Sequence, residues 1–518
     1  MNMPLFKNNF TSNLVADSIT DNYVRLVPAA HFSYVNPITP TQPLLIHSST
    51  EVADLLNLNV DYIQSNEFTS VFSGTSLGDN SKPFAMNYAG HQFGNWAGQL
   101  GDGRAINLGE INNWSIQLKG AGPTPYSRRG DGFAVLRSSI REYLCSEAMH
   151  YLGIPTTRAL ALFLTGDDVM RDMLYNGNPA LEKGAIVCRV APSFIRFGNF
   201  ELFASQGDLD NLKKLADYTI DTYFPEITSQ DKQRYIDLLK LVTDKTLDLV
   251  IHWQRVGFVH GVMNTDNMSI HGITIDYGPY GWLEDFNLEW TPNTTDRENR
   301  RYRFGNQPDI MLWNLYQFAN SLYPLIEETA PLESILTSFA SNYENRFLGM
   351  MCSKIGCENH NDSTHKLVYQ LLECLQLSET DMTIFFRLLS TVNLQDYPDS
   401  ALSKISPAFY LPNEIDGSIK ERWLNWMEDY LKQINSQGVL DEARKVKMNA
   451  INPKYVLRNY MAQLAIDEAN TGKYEMIDEF FELLKKPYAE QPEMEKWFAK
   501  RPDWARTKVG CSMLSCSS

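Results

Sequence analysis

The chain has 518 residues, 43% hydrophobic and 12% aromatic, enough to bury a large core and to form two or three domains. Its 46 basic residues against 62 acidic give a net charge of −16, which repels polyanions at long range, excludes a general nucleic-acid binder and confines any phosphate site to a local pocket. The longest strongly apolar run, Ala159 to Leu164, falls far short of the roughly 20 residues of a membrane helix, and seven cysteines in so long a chain suit a reducing compartment rather than a disulfide framework.

Met1 to Lys7 carries neither the charged and apolar regions of a signal peptide nor an Arg-rich transit pattern, so an untargeted, cytoplasmic protein is expected. Residues 1–75 read as an extension with a helical stretch near Val52 to Leu56. From 76 to 205 the pattern is strand-like and glycine-rich. Asn95 to Gly109 reads as strand, glycine turn, strand, and Trp114 to Lys119 alternates apolar and polar residues before ending in a lysine. Val135 to Leu152 has helical spacing with Glu142 on its less apolar side, and Gly153-Ile154-Pro155 stops it. Cys188 to Gly198 places Arg189 and Arg196 in a further strand-like stretch. Beyond 206 the pattern is mostly helical: a long helix over Asp231 to Val256, then helices near 309–325, 365–390, 418–434, 455–469 and 475–485. Thr291 to Asp296 and the arginines after it border a candidate acceptor surface.

The strongest signal is His260-Gly261-Val262-Met263-Asn264-Thr265-Asp266-Asn267, followed by an apolar stretch read as a short hairpin and then Asp276-Tyr277-Gly278. The spacing from His260 to Asn267 equals that of the kinase pattern H-R-D-x-x-x-x-N, but Val262 stands where that pattern has its catalytic aspartate. Asn267 and Asp276 supply oxygen ligands suited to Mg²⁺, and Asp266 is placed to accept a proton from an attacking hydroxyl. Lys119, at the end of a buried strand, needs an anion, with Glu142 available to orient it; the alternative is a strand-end lysine in solvent. Gly101, Gly103 and Arg104, and the turn of Gly130, Asp131 and Gly132, let backbone approach a ligand, although turns alone also need glycine. Arg189 and Arg196 require anionic partners, either internal carboxylates or, with Lys119, a polyphosphate tail. His260 and His91 read as structural. Glycine loop, strand lysine, helix glutamate and metal-binding loop occur in kinase order. The expected fold is therefore α+β: a protein-kinase-like two-lobed molecule, with a mixed β/α N-lobe over 76–205 and a mostly helical C-lobe over 206–518.

The runs Tyr88 to Gly94, Gln99 to Arg104, Gln117 to Gly122, Thr124 to Arg128 and His260 to Asn267, with the terminal Cys516-Ser517-Ser518, resemble the selenoprotein O family, whose bacterial members are called YdiU. The resemblance runs from about residue 75 to the C-terminus. It implies a kinase-like fold that binds ATP in a flipped orientation and transfers AMP, or UMP from UTP with manganese, to hydroxyl groups of proteins, redox-related ones among them. By motif it implies Lys119, with Glu142, and Arg189 and Arg196 on the far phosphates. Gly101, Gly103, Arg104, Asp131 and Gly132 would line the nucleotide pocket, Asn267 and Asp276 hold Mg²⁺ or Mn²⁺, and Asp266 act as proton acceptor. Counting forward from Asp276, Pro292 stands near the place of the second cysteine with which family members bridge the C-terminal one, so control by that disulfide is not expected; Cys511 is the alternative partner for Cys516. A pseudokinase scaffold that binds ATP without catalysis is the competing expectation.

Overall fold

The structure is a computed structural model that describes residues 4–511 and 513–515. Its strands are β1 (Phe32–Tyr34), β2 (Leu44–Ser48), β3 (Phe84–Met86), β4 (Ala89–Gln92), β5 (Asn95–Gln99), β6 (Ala105–Ile111), β7 (Trp114–Lys119), β8 (Ala134–Val135), β9 (Arg158–Arg171), β10 (Ala180–Ala191), β11 (Phe258–Val259) and β12 (Gly281–Trp282). The large sheet is antiparallel in the order β1-β3-β6-β7-β10-β9-β2, with β8 also on β10, while β4–β5 and β11–β12 are separate two-stranded ribbons. With many helices besides, the fold is α+β.

The pleat of the sheet explains its two apolar faces. Ile106, Leu108, Ile116, Leu118, Ile186 and Val190 join one core with Val52, Phe68 and Phe72 from the first 75 residues. Ala185 and Val187 point the other way, into a core shared with Ile140 and Leu144 of the helix Leu136–Tyr151. Each of the larger side chains, Val, Leu, Ile or Phe, contributes on the order of 1.5–3 kcal/mol by leaving water. The first 75 residues also supply β1 and β2, the two ends of the sheet. The second core continues without a break into helices beyond 206, and a third gathers Phe385, Trp423, Trp426 and Met448 near the C-terminal end.

The helix Asp231–Val256 has the limits read from the sequence and stops at Gly257 in the left-handed conformation. Elsewhere the expectations need correction. The strand-like stretch from Cys188 to Gly198 ends at Ala191, before Pro192, and Arg196 instead caps the helix Phe197–Gln206. The hairpin read between Asn267 and Asp276 forms no ladder. Met268 meets Thr274 in one bridge, while Ser269 pairs with Arg196 and Thr274 with Thr156, so its arms are held by neighbouring chain. The single helix read over 365–390 is two, Asp362–Cys374 and Met382–Leu389, the second capped by Asp381. A helix over Thr329–Lys354 stands where none was read.

Candidate active site

Lys119 ends β7, opposite Ala105 of β6 and Val187 of β10. Arg189 lies two residues beyond Val187 and therefore emerges on the same face. β8 pairs with β10 and runs straight into the helix Leu136–Tyr151, which brings Glu142 over that face. Lys119 Nζ lies 2.6 Å from Glu142 Oε2 and 2.6 Å from Asp276 Oδ1, and Arg189 reaches the same two carboxylates at 3.1 and 3.0 Å. Two buried cations thus meet two carboxylates. Burial alone would raise the Asp276 carboxyl, but Lys119, Arg189 and Arg104 hold it well below the usual carboxylate range.

The loop that carries Asp266 is shaped by its surroundings. His260 stacks on Trp253 with ring centres 5.2 Å apart, and burial lowers its imidazole to about 4, so it is neutral and structural. Gly261, at φ +77°, passes within a Cβ's reach of Pro279 O, and Asn293 and Asn314 donate amides to the carbonyls of Gly261 and Met263. Asn267 donates its Nδ2 to Val262 O at 3.0 Å, which leaves its Oδ1 without a partner among the described residues. Asp276 Oδ2 is likewise unpartnered among them. Asp266 accepts Gln92 Nε2 on Oδ2 at 3.2 Å, while its buried Oδ1 has no partner. Burial pushes the Asp266 carboxyl up to about 6, against the opposing pull of Gln92 and Arg196.

Gly101, Gly103, Arg104, Lys119, Asp131, Gly132, Arg189, Arg196, Asp266, Asn267 and Asp276 all line one cavity of about 970 Å³; Glu142 stands behind its wall. Lys119 and Arg189 lie deep in it, whereas Arg128 and Arg129 are exposed at its mouth. The Arg104 backbone carbonyl accepts the Gly120 N–H at 2.7 Å, but its guanidinium makes no hydrogen bond or ion pair among the described residues. Asp131 is held at the lip by both terminal guanidinium nitrogens of Arg171, at 2.6 and 2.8 Å. Arg196 donates to Asp266 O at 2.9 Å, lies 4.6 Å over the Tyr88 ring and stands 3.6 Å from Asp102 Oδ1. Both buried arginines therefore have carboxylate neighbours within the fold as well as a face on the cavity. Arg137 and Arg141, close in sequence to Arg128 and Arg129, turn elsewhere: Arg137 pairs with Glu182, and Arg141 lies over Tyr280.

Sequence reasoning passed over Asp102, Arg171 and Gln92. Asp102 was legible only as the residue inside a glycine turn, and Gln92 as part of a quoted run, since nothing local announces a contact 174 positions away. Cys516 lies outside the described residues. Leu514 pairs with Asn293, which sets the tail beside Pro292, and Cys511 is a buried free thiol. No group of three or more His, Cys, Asp or Glu side chains suited to a metal ion occurs among the described residues. Among the described residues no helix is long and apolar enough to cross a membrane.

Residues 10–485 match the family described as protein adenylyltransferase SelO. The chain is 59% identical over 515 residues to the protein nucleotidyltransferase YdiU of Flavobacterium johnsoniae, with 99% of each chain covered. It is 50% identical over 534 residues to that of Rhodopirellula baltica and 51% identical over 518 residues to that of Tolumonas auensis, again covering 99% of each.

Proposed function

The chain belongs to the SelO family of protein adenylyltransferases and is a protein nucleotidyltransferase that transfers AMP to proteins; from that premise we propose how its cleft performs the transfer. ATP enters with its β- and γ-phosphates against Lys119, Arg189 and Arg196 and with Arg104 free to close on them. The α-phosphorus then faces Asp266 and Asn267. The glycine turns at Gly101, Gly103 and Gly132 let backbone approach the nucleotide, and Asp131, fixed by Arg171, borders it at the lip.

The observation that carries the reading is the grouping of charge in one cavity: buried Lys119, Arg189 and Arg196 line it together with Asp276, and Asp266 stands on the loop beside Asn267. A kinase places its acid for attack at the terminal phosphorus, but that position is Val262 here. A serine, threonine or tyrosine hydroxyl of the acceptor protein attacks the α-phosphorus and gives its proton to Asp266. The new bond joins that oxygen to the α-phosphorus, the bond to the bridging oxygen of the β-phosphate breaks, and pyrophosphate leaves with the electron pair. Lys119, Arg189 and Arg196 stabilise the departing charge.

Asn267 Oδ1 and Asp276 Oδ2 fit a hard divalent cation, Mg²⁺ or Mn²⁺, that takes its remaining ligands from phosphate and water, which agrees with a donor set of one amide and one carboxylate. When bound, such a cation polarises the reacting phosphoryl group. The Lys119–Glu142 pair between sheet and helix, with helices beyond 206, supports a kinase-like two-lobed arrangement divided near 205. UTP as an alternative donor, redox-related acceptor proteins and a cytoplasmic setting belong to the same reading. The test is full-length protein incubated with ATP labelled at the α- or the γ-phosphate. Label on protein from the α-position, competed by UTP, is expected; label from the γ-position alone would overturn the flipped orientation.

A further inference from the structure

Of the run Tyr88 to Gly94, only Tyr88 lines the cavity, yet the run follows the 264–266 loop residue by residue. The His91 N–H donates to Thr265 Oγ1 at 2.7 Å, and Gln92 Nε2 donates to Asp266 Oδ2 at 3.2 Å. The Phe93 N–H donates to Asn264 Oδ1 at 3.1 Å and to the Tyr302 hydroxyl at 3.0 Å, and that hydroxyl itself donates to Asn264. Gly90 permits this approach: a Cβ there would lie 2.9 Å from Thr265 Oγ1 and 3.2 Å from Asp266 N. Behind the loop, Arg196 stacks on Tyr88 while donating to the Asp266 carbonyl. The ribbon β4–β5 is thus a clamp that touches the acid of the loop at its side chain and, through Arg196, at its backbone.

We propose that Gln92 is a positioning residue of the transfer reaction, its amide holding Asp266 Oδ2 and so fixing the rotation of the carboxylate that takes the acceptor's proton. The proposal rests on the reading of Asp266 as proton acceptor. A carboxylate can spin about its last bond, and the Gln92 amide is the one side-chain donor bonded to this one among the described residues. With Oδ2 so bonded, Oδ1 is left buried and without a partner, so the orientation of the carboxylate rests on the Gln92 bond. Small misalignments of a reacting group cost large factors in rate, so one hydrogen bond at this point controls the maximal rate rather than nucleotide affinity.

The experiment measures self-labelling of the full chain from α-labelled ATP in Gln92→Met, which keeps the side chain's length and removes the donor, and in Gln92→Glu, which sets a second carboxylate against the first. Gln92→Met is expected to lower the maximal rate about 10- to 100-fold with half-saturating ATP and melting temperature unchanged, and Gln92→Glu to lower it further. Asp266→Asn separates the two readings. If Asp266→Asn transfers at the wild-type rate, the proton acceptor is misassigned and the proposal falls with it. If Asp266→Asn is inactive while Gln92→Met is normal, or loses rate only in step with ATP affinity or melting temperature, the role of Gln92 alone is overturned. In the double variant, Gln92→Met should add nothing to Asp266→Asn, and fully additive losses would also refute it.

Discussion

In the proposed reading one carboxylate, Asp276, serves two purposes. Its Oδ1 is shared by Lys119 and Arg189, at 2.6 and 3.0 Å, while Oδ2 is the oxygen proposed to hold a cation. Replacing it by asparagine removes the anion that both buried cations face and leaves Glu142 to balance them alone. Asp276→Asn should therefore lower α-label transfer by about a thousandfold or more, the worth of several kcal/mol of charge stabilisation, with ATP labelled at the α-phosphate as the reporter. Because Lys119 and Arg189 occupy the same carboxylate, Mn²⁺ should bind weakly alone and more tightly once a triphosphate draws those cations away. Titration calorimetry of Mn²⁺ with and without ATP reads that coupling directly; equal affinities would contradict it. Gly132 is a purely steric case. It sits at φ +79°, and a Cβ would lie 2.2 Å from the Gly122 carbonyl carbon. Gly132→Ala should cost about 2–4 kcal/mol, measured as a shift in denaturant midpoint.

Among the elements, the sequence disclosed those whose chemistry is local. The helix Asp231–Val256 carries one continuous amphipathic stripe, and its limits were legible to the residue. The helix Thr329–Lys354 does not: Leu332, Leu336 and Phe339 join one core, whereas Leu348, Met351 and Cys352 join another. Its apolar stripe breaks as it crosses between them, so no single period marks it. The site divides in the same way. Lys119, Glu142, Asn267 and Asp276 follow a spacing readable along the chain, but Asp102 and Gln92 act through contacts that only the folded sheet and ribbon create. The helix Phe197–Gln206 makes this testable. Its Gly198 lies against β4, where a Cβ would come 2.2 Å from Ala89 O. Gly198→Ala should push β4 off the 264–266 loop, at a cost of about 1–3 kcal/mol in stability. Transfer at a temperature where the variant remains folded should fall by more than its melting curve accounts for; a proportional loss would make the contact merely structural.

In the molecule as a whole, the largest core runs from Phe10 to Cys511 and joins the sheet to helices beyond 206, so the seam between these parts is continuous apolar packing. Two neutral imidazoles are built into that seam. His31 accepts the Val15 N–H on Nδ1 and donates from Nε2 to Asn211 O on the helix Leu209–Tyr223. His271 bonds Ser193 at 2.7 Å and meets the rings of Tyr223 and Phe224. Burial lowers His31 from 6.5 to about 4, with Lys214 opposed by Asp208 nearby, and burial with Lys245 lowers His271 to about 3. A depressed imidazole refuses a proton that the unfolded chain accepts below pH 6.5, so its contribution to stability is complete above that pH and is lost as the pH falls towards the folded value. Each shift corresponds to stability on the order of 3 kcal/mol, most of it lost between pH 6.5 and 4. The melting temperature should therefore be flat from pH 8 to 7 and fall by a few degrees on going to pH 5. The His31→Gln, His271→Gln double variant should melt lower at pH 8 yet lose less between pH 7 and 5, because neither glutamine titrates. Parallel curves for the two proteins would assign the acid sensitivity to other groups, His252 and His260 with similarly lowered imidazoles among them, and the seam would owe nothing to His31 and His271.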